Sequence, residues 1–350
     1  MNKDVDLSSK LGDLLNIPPI SIELLPGDTS EWLASAPPEH APFLFVDRNL
    51  GVPHKLVYKA YLEAVSRFRA VRPRHDAIDR SHTHSAQLLA SSAVLLLVNP
   101  AHQTALNARK RLVLLGAQPP AHELSFTDAL LTLRDAAKQS ILWHHRRWLL
   151  RRLHPPRPSS TTSSASSESH VTGHGDGVDT LADVTLSPAA FRAEIAAVER
   201  ACEAYPRNYH AWAHRFLCAE ALALLLSSCA TSSVHARQEL EAERARIRAW
   251  IERHVADYSA MQYACRLEVL LRGLPAPDAQ AETKTGTETE TETETENGAG
   301  AGAHALGLVR AYPSHEALWF YLRGAVALDL FPPATWPGGD AGAAIRELAE

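Results

Sequence analysis

Two short segments of this chain repeat one another: Trp143-His144-His145-Arg146 and, 69 residues further on, Trp212-Ala213-His214-Arg215. On a helix, residues three apart share a face, so each copy presents the same tryptophan and arginine to a neighbouring element. Weaker copies extend the series. Leu106 with Asn107 and Arg109 precedes Trp143 by 37 residues, Met261 follows Trp212 by 49, and Trp319 with Arg323 follows Met261 by 58. A pattern that returns at 37 residues and at 69, about twice that, with the 58-residue step lengthened by a low-complexity stretch, marks stacked helical hairpins, each burying its apolar face only against the next. The spacing predicts an all-α fold, a right-handed α-α superhelix (solenoid) of hairpin repeats.

Residues 1–53 carry the breaks Pro18-Pro19, Pro26-Gly27 and Pro37-Pro38 around an Ile20-Ser21-Ile22 alternation. They read as an N-terminal arm with one short extended piece, not a domain. Residues 54–153 hold the first repeats: an amphipathic helix from His54 to Val71, a loop over 72–84, and a buried-type helix from Gln87 halted by Asn99-Pro100. A helix through Arg109 then ends at Gly116, and a second hairpin covers Phe126–Ala137 and Ser140–Leu153. Residues 154–186, rich in Ser, Thr and Gly, and residues 275–303, with a Thr-Glu run, offer little to bury and predict disordered insertions. Between them lie the middle repeats, 187–274, opened by the cap and first-turn proline of Ser187-Pro188 and including a charged helix from Gln238 to Val255. A last repeat at 304–330 and a tail at 331–350 complete the chain.

Composition removes several functions. With 35 basic against 40 acidic residues there is no basic tract for nucleic acid. The longest apolar runs, Ala93 to Val98 and Ala221 to Leu226, are far short of the ~20 residues a membrane span needs. Residues 1–15 lack the apolar core of a secretion signal, the last four residues hold no prenylation cysteine, and Cys202, Cys218, Cys229 and Cys265 form no Cys-x-x-Cys pair. The expectation is a reduced, cytoplasmic protein. No metal site is expected in the chain: His144 and His145 point ~100° apart on a helix, and His82-Thr83-His84 has no ligand pattern beside it. Neither a phosphate loop nor a nucleophile elbow is present.

The stretch Pro206-Arg207-Asn208-Tyr209-His210-Ala211-Trp212-Ala213-His214-Arg215 matches the Pro-x-Asn-Tyr-x-x-Trp-x-His-Arg pattern in full. In this it resembles the protein prenyltransferase α-subunit repeat family, over residues 86–153 and 188–330. Leu96 to Pro100 with Asn107 to Lys110, Lys138 to Leu150, and Tyr312 to Trp319 are similar to the repeat-containing branch of that family. The resemblance implies an α subunit that is inactive alone. Its partner is a β subunit carrying zinc and most of the isoprenoid pocket, so this chain holds no cofactor itself. It also implies that Lys138, five residues before Trp143, approaches the isoprenoid diphosphate, with Tyr209 and His210 nearby. A lysine and hydrogen-bond donors are what a diphosphate needs as charge develops on it in leaving.

The family's tyrosine and glutamine that face a CaaX substrate are here Ser140 and Ile141. That departure favours the type II or III geranylgeranyl branch over farnesyl transfer. Asn107, Arg109, Trp143, Arg146, Trp212, Arg215, Trp319 and Arg323 are assigned to the architecture of the repeat. The expected function is therefore half of a heterodimeric transferase that moves an isoprenoid to a protein cysteine. The competing class is a non-catalytic helical-repeat scaffold that binds a protein partner.

Overall fold

A computed structural model describes residues 6–27, 30, 32, 37–71, 82–154, 180–182, 184–227, 230–274 and 300–331. Most of the two expected insertions and of the C-terminal tail lies outside these residues, as does Cys229. The fold is all-α with one small sheet. Two compact units divide it: residues 1–180 with 196–211, and residues 181–195 with 212–350.

The first unit opens on α1 (Leu7–Asn16), capped by the Asp6 carboxylate, which accepts from the Ser9 amide at 3.0 Å. Its buried face of Leu7, Leu11, Leu14 and Leu15 packs on α2 (His54–Val71) and α3 (His82–Val98). Between α1 and α2 runs a three-stranded sheet in the order β1 (Ser21–Leu25), β3 (Asn49–Pro53), β2 (Leu44–Val46). β1 is parallel to β3 and β2 antiparallel to it. The β2–β3 turn places Asp47 and Arg48 in the left-handed region, φ 49° and 62°, as a two-residue hairpin of primed type requires. Arg48 is held there by its neighbours: its guanidinium donates to the Pro18 carbonyl and its own carbonyl accepts from the Ile20 amide at 2.7 Å.

Residues 1–53 are therefore not a free arm where they are described. Leu11, Leu15, Phe43 and Val52 are fully buried, and the Ile22 amide donates to the Thr132 hydroxyl. The extended piece expected around Ile20-Ser21-Ile22 is β1, and two further strands, β2 and β3, join it.

The first hairpin joins α3 to α4 (Gln103–Leu114), with the break at Asn99-Pro100 and a left-handed Gly116, φ 74°, as read from the sequence. α3 begins at His82, so residues 82–84 of the expected loop are helical, and 72–81 lie outside the described residues. In the second hairpin the first helix is displaced. It is α5 (Pro120–Leu130), started by a proline in its first turn, then a single turn α6 (Arg134–Ala137). α7 spans Ser140–Leu153, as expected.

α8 (Pro188–Ala204) follows the Ser187 cap, whose hydroxyl accepts from the Ala190 amide. Of the described residues before it, Leu181, Val184 and Leu186 are buried, so the folded chain resumes earlier than residue 187. α9 (Tyr209–Ala223) carries the best copy of the repeat and ends in a 3-10 turn over Leu224–Ser227. α10 (Ala230–Arg253) starts eight residues before the expected Gln238. It pairs with α11 (Tyr258–Arg272), and α12 (Ala301–Ala311) pairs with α13 (Glu316–Ala327). Among the described residues no helix is long and apolar enough to cross a membrane.

Candidate functional site

Three of the repeats cap the start of their second helix with the side chain of the residue four places before the aromatic position, whereas Gln139 and His315, before Trp143 and Trp319, make no such cap. His102, Asn208 and Asp257 stand there before Leu106, Trp212 and Met261. Their side chains accept from amides of the first turn: Ala105 at 3.1 Å, Ala211 at 3.2 Å, and both Ser259 and Ala260 at 3.1 Å. The aromatic residue then anchors the turn before its helix. The Trp143 indole donates to the Ala137 carbonyl at 2.8 Å, and the Trp319 indole to the Pro313 carbonyl at 2.7 Å, six residues back in both. Trp212 instead turns its indole to Asp257 Oδ2 at 3.2 Å, an oxygen that also accepts from Trp250 at 3.3 Å.

The motif arginines Arg109, Arg146 and Arg215 are buried and charge-paired. Arg109 forms a two-pronged pair with Glu123 at 2.8 and 2.7 Å while its remaining nitrogen donates to the Leu89 carbonyl, and its guanidinium lies 4.0 Å from the Phe126 ring centre. Arg146 reaches Asp128 at 2.8 Å, and Arg215 reaches Glu243 at 2.6 Å beside Trp212 and Tyr263. The motif histidines have acidic partners too: His145 with Glu123 at 3.1 Å and His214 with Glu194 at 2.8 Å. Burial works to raise the Glu123 carboxyl, but the Arg109 charge and the bonds from His145 and Arg109 overcome it and hold the pKa down to about 2. Burial pushes His145 below its ordinary value, against the pull of Glu123, so it is neutral at pH 7.

Glu123, Asp128, Glu194 and Glu243 are the acidic partners that the sequence reading missed. Two architectural assignments also fail. Asn107 is exposed, bonded only to Gln103 at a long 3.4 Å in the described contacts, and Arg323 is exposed because it stands four residues after Trp319; the three-residue position holds buried Leu322.

One group among the described residues has metal-ligand character: Glu194, His214 and Cys218, all buried, with ligand atoms within 4.8 Å of one another. His214 already holds Glu194 through Nε2, and the matching pair His145–Glu123 has Leu149 where Cys218 stands. The group is the histidine–glutamate joint of the repeat, with a cysteine packed against it.

The three candidate chemical residues lie in the first unit. Lys138 follows α6, its side chain 43% exposed and paired with Asp135 at 2.5 Å. Tyr209 and His210 open α9, Tyr209 65% exposed, with ring centres 5.5 Å apart edge to face. His210 is held below its ordinary pKa by burial and by the nearby Arg147 charge, so it is a neutral donor at pH 7. The two segments are tied directly: Asn208, buried immediately before Tyr209, donates from Nδ2 to the carbonyl of Ala137, immediately before Lys138, at 2.7 Å. The first turns of α7 and α9 are thereby brought close together. Two helix starts, a lysine and a neutral histidine together suit an anion.

Comparison with known proteins returns the same family. The profile of the protein prenyltransferase alpha subunit repeat matches residues 191–222, which cover most of α8 and α9. The chain is 26% identical over 297 residues to protein prenyltransferase alpha subunit repeat-containing protein 1 of Danio rerio, covering 81% of this chain and 63% of that protein. It is 27% identical over 301 residues to the Homo sapiens protein of that name, covering 81% and 68%. Repeat-containing protein 1-A of Xenopus laevis is 25% identical over 180 residues, about half of this chain. The matches thus span 63% and 68% of the length of the first two relatives and 36% of the third, and residues 191–222 of this chain match the protein prenyltransferase alpha subunit repeat.

Proposed function

We propose that this chain is the α subunit of a heterodimeric protein prenyltransferase of the geranylgeranyl type, active in the cytoplasm with a β subunit. The observation that supports this reading best is the Asn208–Ala137 hydrogen bond, which puts the segment bearing Lys138 beside the one bearing Tyr209 and His210. In the reaction the sulfur of a substrate cysteine bonds to C1 of the isoprenoid as the C1–oxygen bond breaks, and diphosphate leaves with the electron pair. Zinc, which the β subunit would hold, would lower the pKa of the substrate thiol, so that the cysteine attacks as its thiolate with the proton given up to solvent. Lys138 supplies a cation to the departing diphosphate, and His210 and Tyr209 supply neutral hydrogen bonds as its charge grows. To do so Lys138 must leave Asp135. That pairing, with Ser140 and Ile141 in place of substrate-reading side chains, favours the second reading, a scaffold that binds a protein partner without chemistry.

Co-expression with a geranylgeranyltransferase β subunit, size-exclusion chromatography and transfer of labelled geranylgeranyl to an acceptor protein separate the two. The transferase reading expects a one-to-one complex whose kcat falls about a hundredfold in Lys138→Ala, the scale of losing one donor to developing charge. Failure to form a complex leaves the scaffold, and transfer indifferent to Lys138→Ala removes Lys138 from the chemistry.

A further inference from the structure

The proposed diphosphate site is built from two segments about seventy residues apart in sequence, and a side chain that touches no substrate joins them. Resting on that site reading, we infer that Asn208 is a positioning residue: it sets Lys138 against Tyr209 and His210, so its effect on catalysis passes through them. Asn208 is 1% exposed and uses both ends of its amide. Oδ1 accepts from the Ala211 amide at 3.2 Å and fixes the first turn of α9, which carries Tyr209 and His210. Nδ2 donates at 2.7 Å to the Ala137 carbonyl, which belongs to the same peptide group as the Lys138 nitrogen. One planar amide thus connects the two backbones with no freely rotating link between its donor and its acceptor.

The receiving peptide is fixed as well. Ala137 accepts at the same time from the Trp143 indole at 2.8 Å, so both lone pairs of its oxygen are engaged and the peptide cannot turn without breaking two bonds. Arg207, at φ 59°, holds the left-handed backbone that delivers Asn208 to this position. The next repeat shows which half of the amide matters here. Asp257 occupies the corresponding place, caps its helix in the same way, and having no donor it receives two indoles instead. Capping needs only an acceptor; the bond to Ala137 needs the amide's N–H.

Asn208→Ser separates the two roles, because serine caps as well as asparagine but is too short to reach Ala137, whose oxygen keeps its bond from Trp143. In the complex with the β subunit, the expected result is a kcat about tenfold lower with KM for the acceptor protein unchanged. A double variant with Lys138→Ala is expected to be no slower than Lys138→Ala alone, since one residue acts through the other. Amide hydrogen exchange over residues 134–142, read on the same samples, is expected to speed up in Asn208→Ser. An unchanged kcat, a loss that multiplies with that of Lys138→Ala, or unchanged exchange overturns the inference while leaving Lys138 in its role. Transfer that Lys138→Ala does not weaken removes the site reading itself, and the positioning role with it.

Discussion

Arg109 and Glu123 are buried completely, and the cost of desolvating both charges is offset only because every prong of the guanidinium finds an acceptor. Such a pair adds little to stability compared with an apolar pair, but it is costly to break. Glu123→Gln leaves a buried cation facing a neutral amide and is expected to destabilise the fold by about 3 kcal/mol, read as a lowered urea midpoint at pH 7. The arginine and the tryptophan of this joint were legible in the sequence because they recur in register. The acids were not. Glu194 gave a faint signal, one carboxylate inside the apolar stripe of Phe191, Ile195 and Val198, whereas Glu243 is hidden in the run Glu239 to Arg248, where charge is everywhere. Arg323 misled for the converse reason: at four residues from its tryptophan it is within reach of a helical face, yet the buried place belongs to Leu322.

Among the elements, α1 is the clearest case of a contact that depends on the absence of a side chain. A β-carbon on Gly12 would lie 2.6 Å from the Ala90 β-carbon and 2.7 Å from the Ala90 carbonyl oxygen, inside α3. Alanine is the better helix former by about 1 kcal/mol. The clash is with backbone, which cannot swing aside, and overpacking of this kind costs about 2–3 kcal/mol. Gly12→Ala is therefore expected to lower stability by about 1–2 kcal/mol, with faster proteolysis near the N-terminus as the local readout. Helices with a 3.6-residue stripe and proper stops, such as α4 and α7, could be read from sequence almost to the residue. The sheet could not: its strands are five, three and five residues long, too short for a period to show, and one pairing is parallel across the intervening chain. α10 began early because its first turns are mostly small and polar, a composition that a stripe analysis passes over.

Across the whole molecule the polar joints fix how stability responds to acid. His122, His145, His210 and His304 are all held below the ordinary histidine value by burial. A lowered histidine binds fewer protons folded than unfolded, so its contribution is complete above about pH 6.5 and declines as the pH falls below that. Glu123, at about 2 when folded, contributes fully above its ordinary value of 4.5 and loses that contribution as the pH falls toward 2. Asp13 and Glu220, raised by burial, act in the opposite direction. The net expectation is a urea midpoint that is flat from pH 8 to 7, falls below 6.5 and steepens below 4.5, with the last slope reduced in Glu123→Gln. The tryptophans would report such opening differently in each unit. Trp143 donates to a neutral peptide oxygen, whereas Trp212 and Trp250 share a single carboxylate oxygen with their rings 5.6 Å apart. The second unit thus contains a coupled pair of fluorophores whose light depends on one acidic side chain, and its opening carries an optical signature found, among the described residues, in that unit alone.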